Sequence, residues 1–216
     1  MGAIARSAAN LVSTSGVWLK AGVNNDSFDN VTAFPSSFGD GITLISSQTA
    51  SNSASISFTS GLTSTYKAYK FVYVNIKPAT DAADFTFNMS TDSGSNYNVT
   101  KTSTFFRTRH DEADTSTELS YQTTDDLAQS TGFQTIAENI GNGADESGSG
   151  SLLLFNPSST TYVKHFIATI NTYNSNDYTR QEFIAGYGNT TSAVNAIQFK
   201  MSTGNFDGVI YLYGIK

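Results

Sequence analysis

Cysteine is missing from all 216 residues, so disulfides and thiolate chemistry are excluded and packing alone must hold the fold. Charge is sparse, 14% of residues with a formal net of −6. No Lys/Arg cluster supplies the basic footprint that nucleic-acid binding uses to release counterions. No apolar run approaches the ~20 residues needed to span a bilayer. Met1–Val12 contains Arg6 but lacks the apolar core of a signal peptide, so classical secretion is not expected. A phosphate-binding glycine loop, a dinucleotide fingerprint, zinc-ligand spacing and an internal repeat are all missing too.

What is present is a vocabulary of strands. Ser, Thr and Asn are abundant, and 15 Phe and 11 Tyr are interleaved with 17 Gly. Polar β-formers alternating with aromatics, cut by turn residues, describe an all-β sandwich or barrel. The ending Asn205–Lys216, N-F-D-G-V-I-Y-L-Y-G-I-K, predicts a turn at Asp207-Gly208. A closing strand follows it, interior to a sheet and covered on both faces, with Val209, Tyr211 and Tyr213 on one side and Ile210 and Leu212 on the other.

Residues 1–34 differ from the rest and read as an N-terminal extended arm. Gly2–Val12 carries a partial helical face, Thr14-Ser15-Gly16 breaks it, and Val17-Trp18-Leu19 forms a small apolar knot. Such a stretch cannot bury a core of its own. Residues 35–216 form the sandwich domain. Tyr66–Ile76 is the longest strand candidate, with Tyr69, Phe71 and Tyr73 on one face and Val72, Val74 and Ile76 on the other. Arg107–Ser151 is irregular. Phe133, Ile136 and Ile140 in i, i+3, i+7 spacing predict a turn or two of helix there, and Gly141–Ser151 is a loop by composition. About ten antiparallel strands result.

Candidate chemistry is thin. His165 reads as a mid-strand histidine. His110 lies in the densest charged stretch, Arg107-Thr108-Arg109-His110-Asp111-Glu112-Ala113-Asp114. Asp111, Glu112 and Asp114 are hard-cation donors, yet the D-x-D-x-D-G spacing of a calcium loop is missing. Arg107 and Arg109 can neutralise those carboxylates locally. A serine hydrolase needs a base beside its serine, ideally on a G-x-S-x-G elbow, and none occurs. Asp125, Asp126, Glu138, Asp145 and Glu182 are available as paired carboxylates for glycoside hydrolysis, but nothing singles out two of them. Asn30, Asn98 and Asn189 match the glycosylation sequon, as expected by chance in an Asn- and Thr-rich chain. Catalytic residues, cofactor and metal are therefore all expected to be none. Exposed aromatics remain, able to stack sugars but more often core or interface.

The chain is similar to virion structural proteins of tailed bacteriophages of aquatic bacteria. The likeness rests on Ser13–Asn25 (S-T-S-G-V-W-L-K-A-G-V-N-N), Phe105–Asp114, Leu154–Phe166 and the ending G-V-I-Y-L-Y-G-I-K, and it runs over nearly the full chain. It implies an antiparallel jelly-roll-like β-sandwich without enzymatic activity, located in the virion. The leading expectation is a capsid decoration (cement) protein, a homotrimer bound to the major capsid protein. Its arm would clamp neighbouring subunits by burying Val17, Trp18, Leu19, Val23 and Phe28. A tail or head fibre that binds host glycans is the alternative. Outside that family stands a free carbohydrate-binding sandwich.

Overall fold

The computed structural model describes residues 41–216, together with the backbone of Val12–Ser13 and Gly16–Val17. The chain divides into two compact units, 1–41 and 42–216. In the first, β1 (Val12–Ser13) pairs antiparallel with β2 (Gly16–Val17). The helix expected over Gly2–Val12 and the arm contacts Val17, Trp18, Leu19, Val23 and Phe28 lie outside the described residues, the backbone of Val12 and Val17 excepted.

The second unit is an all-β, antiparallel sandwich, with no helix among the described residues. Eight strands form a broad sheet in the spatial order β3 (Ile42–Ser53), β14 (Phe206–Ile215), β5 (Ala68–Pro78), β10 (Gly148–Phe155), β11 (Lys164–Asn174), β12 (Tyr178–Gly188), β7 (Lys101–Asp111) and β8 (Thr117–Tyr121). Four more, β9 (Gln134–Ile140), β6 (Ala83–Ser90), β13 (Ala196–Met201) and β4 (Ile56–Phe58), form a smaller layer. A single pairing of Asn174 with Ile140 ties the layers at one edge.

Between the layers sits an aromatic core centred on Phe199, a fully buried residue of β13. Its ring lies 5.4 Å from Phe71, 5.7 Å from Tyr73, 5.8 Å from Phe85, 6.3 Å from Phe87 and 6.4 Å from Phe58. Phe71 and Tyr73 come from the broad sheet, so this one side chain stitches the two layers together. β5 and β14 both run through the sheet interior, as their continuous β-branched and aromatic runs predict.

Four local expectations are corrected. Gly148–Ser151, read as the end of a loop, opens β10 and pairs with β11. Asp207-Gly208 is not a turn: both residues lie inside β14, where Gly208, at φ 139°, occupies a register shift against β5. A Cβ there would stand 2.9 Å from the Asn75 carbonyl oxygen, so a bare backbone is required. On the partner strand Asn75 adopts φ 52°, which breaks the two-residue alternation and turns Ile76 into the core, where it is fully buried. Ile76 therefore joins Tyr69, Phe71 and Tyr73 and not Val72 and Val74. Finally, the segment read as helical is β9. Its register shifts against β6 between Ala83 and Phe85 and again between Phe85 and Thr86, which brings Ile136, Ala137 and Ile140 all inward and mimics helical spacing. Among the described residues, six of the nine non-glycine positions with positive φ are Asn or Asp. The asparagine-rich composition thus supplies left-handed backbone at bulges and turns.

Candidate interaction face

Alternation along β7 separates the charged stretch into two environments. Arg107 and Arg109 point between the layers, whereas His110 points outward. Contrary to the expectation from the sequence, the arginines do not neutralise Asp111, Glu112 and Asp114. Arg107 bonds Glu138 on β9 and lies 3.8 Å from Glu118 on β8, and Arg109 meets Glu118 at 2.6 Å. Arg180 on β12 completes the cluster, 3.6 Å from Glu138 and 4.0 Å from Glu182. The salt-bridge network exists, but its partners come from four strands.

Glu138 and Glu182 are the two carboxylates that folding brings together out of the five considered. Glu182 Oε1 accepts the Glu138 backbone N–H at 3.2 Å, while Oε2 has no hydrogen-bond partner. Burial pushes the Glu182 carboxyl up to about 8, and burial also raises Glu138 despite its bond to Arg107. Glu182 is 0% and Glu138 7% exposed. Acids sealed between two sheets cannot reach a glycosidic bond, so the pair is part of the interior.

Outside, each histidine and carboxylate of the charged stretch has a local partner. His110 Nε2 lies 3.0 Å from Asp114 Oδ1. Asp111 accepts the backbone N–H groups of Thr115 at 2.9 Å and Ser116 at 2.7 Å, which closes the turn into β8. Tyr173 donates to Asp177 Oδ1 at 3.4 Å, and Glu112 beside it lifts its phenol to about 12. A shallow hollow runs past His110, Asp111, Glu112 and Tyr173, but these groups are committed to one another and do not converge on a common point. Among the described residues no three His, Asp or Glu side chains are grouped as cation ligands.

The outer face of the broad sheet has a different character. One registered row crosses all eight strands: Ser47, Tyr211, Val72 and Ser151 on the β3 half, then Thr169, Phe183, Phe106 and Tyr121 on the β8 half. The next row runs Leu44, Tyr213, Lys70, Leu153, Ile167, Ala185 and Thr104. Phe106 and Phe183 stack at 4.9 Å. Leu44 is 53%, Tyr121 50% and Ile167 49% exposed. Lys70 is the only charged residue in the two rows, and neither holds a carboxylate. The β14 strand is accordingly covered on its inner face alone, since Tyr211 and Tyr213 stay half-buried on the outer one. His165 belongs here, opposite Tyr187 with ring centroids 6.1 Å apart, edging an apolar depression with Phe155 and Ile167. Sequence reasoning missed this face because its residues come from eight separate stretches. Only the Tyr211/Tyr213 alternation hinted at it. Comparison with known proteins adds no identity: no family model, no curated protein and no solved structure matches the chain.

Proposed function

We propose that this chain is a non-enzymatic structural protein of a tailed-phage virion, a capsid decoration protein that joins neighbouring subunits of the shell. The observation that carries the reading is the outer face: a broad, exposed, nearly uncharged sheet surface on a chain of net charge −6. A large apolar patch of this kind marks an interaction surface. The perturbed acids Glu138 and Glu182 are locked inside and the groups around His110 are tied up locally, so the outer surface carries the function. The major capsid protein is the proposed partner.

The test is direct. Virions purified from a phage encoding the chain should contain it, and an antibody to it should decorate the head in electron micrographs. A preparation free of the chain would overturn the reading. Labelling of the tail tip would instead favour the fibre alternative. One observation speaks for that alternative, the uncharged depression beside Tyr187 and His165, whose aromatic edge suits a neutral sugar.

A further inference from the structure

We infer that Asn142 is a latent deamidation site, kept intact by the Glu146 carboxylate, which holds the backbone N–H that would otherwise attack the Asn142 side chain. The inference is independent of the proposed function.

Asn142-Gly143 is the sole Asn-Gly pair in the sequence. Glycine after asparagine leaves the next backbone nitrogen unshielded by a Cβ and free to swing onto the side-chain amide. In the reaction the Gly143 nitrogen bonds to Asn142 Cγ and the Cγ–Nδ2 bond breaks. The Gly143 proton leaves with Nδ2 as ammonia, and a five-membered imide remains. Water then opens that ring at either carbonyl, giving aspartate or isoaspartate. Asn142 is exposed in the loop between β9 and β10, so water and base reach it.

The loop is built to stop the first step. Gly143 N–H donates to Glu146 Oε2, so its proton is held by a carboxylate whose negative charge opposes formation of an amide anion. Asn142 is pinned on its other sides, its N–H on Asp81 Oδ1 and its Nδ2 on the Ala79 carbonyl, each at 3.2 Å. Lys77 Nζ holds the Ala144 carbonyl, also at 3.2 Å. Glu146 fits only because glycines flank it: a Cβ on Gly143 would stand 2.7 Å from Oε2, and one on Gly141 would overlap the same carboxylate. The fold therefore needs glycine at 143 to seat Glu146. That glycine makes Asn142 labile, and the seated carboxylate offsets the lability.

Deamidation would undo the loop. An acid at 142 puts an oxygen where Nδ2 now donates, against the Ala79 carbonyl oxygen and close to Asp81. Ala144 and Asp145 would lift with it, and these two residues border the outer face at Val74 and Val209.

Full-length protein incubated in warm, mildly alkaline buffer tests this, with isoaspartate and the one-dalton gain at the 142–143 peptide as readouts. Wild type held unfolded in urea sets the unrestrained rate. Folded wild type should react ~10–100-fold more slowly, the weight of one hydrogen bond to a charged acceptor. Glu146→Ala, with circular dichroism unchanged, should recover most of that factor, while Asn52-Ser53 keeps its rate. Glu146→Gln retains an acceptor and should fall between them; if Glu146→Ala does not fold, it decides alone. Folded wild type reacting as fast as the unfolded chain overturns the inference, as does a folded Glu146 variant no faster than wild type. A variant in which Asn52 speeds up equally would mean a general loosening of the fold, and overturns it too.

Discussion

Replacing Glu182 by glutamine should make the protein more stable at high pH, although it breaks into a buried charge cluster. The carboxyl is fully buried, one oxygen has no partner, and its nearest cation, Arg180, stands at the 4.0 Å limit of an ion pair. Arg107 on β7 and Glu138 on β9 face it from the neighbouring strands. In the folded protein its pKa rises from 4.5 to about 8. Between those values the folded state holds a proton that the unfolded chain has lost, so this group's contribution to stability falls as pH rises through that window and is flat above it. At ~1.4 kcal/mol per unit the full loss is roughly 5 kcal/mol. Glutamine keeps the acceptor for the Glu138 N–H and carries no proton to lose. Urea unfolding at about pH 5.5 and about pH 9 should therefore show a small difference at the lower pH and a gain of several kcal/mol for Glu182→Gln at the higher. The shift of Lys101 is common to both proteins and cancels in the comparison, whereas Glu138, which faces Glu182, has one fewer like charge beside it in the variant. A variant less stable than wild type at pH 9 would mean that Arg180 stabilises the Glu182 carboxylate enough to keep its pKa from rising, and the reasoning would fall.

Phe199→Ala should cost ~3–5 kcal/mol, because five aromatic neighbours lose a shared partner, and Phe199→Leu clearly less. Thermal melts of the pair would show whether this ring is the hub. Lys101 is fully buried, donating to Asn88 Oδ1 at 2.5 Å and to the Val99 carbonyl at 2.8 Å, and burial lowers its pKa to about 7. The unfolded chain binds this proton up to 10.5, so stability from this group rises with pH above 7. The advantage of wild type over Lys101→Met should grow by ~3 kcal/mol between pH 7 and pH 9, and a pH-independent difference would refute a neutral amine. Asn75→Gly should be nearly neutral, whereas Asn75→Val, β-branched at φ 52°, should lower the melting temperature by several degrees.

The alternation of Tyr69, Phe71 and Tyr73 and of Ile210 and Leu212 was readable because a strand's side-chain period is local and burial on one face selects for it. That was enough to fix an all-β class and interior positions for β5 and β14. Ile76 escaped the reading because a single positive φ at Asn75 shifts the period by one. β9 looked helical for the same reason, its register shifts imitating a spacing of three and four. The partners of Arg107 and Arg109 were equally hidden: the nearest carboxylates along the chain sit at the end of β7 and in the turn after it, where Asp111 is taken up by the Thr115 and Ser116 N–H groups, and those used come from β8 and β9. Sequence proximity sets which charges are near, but the pleat decides which of them meet. The outer face is the extreme case, since hydrogen-bond register between strands far apart in the chain lines up its residues, and no local pattern encodes that register.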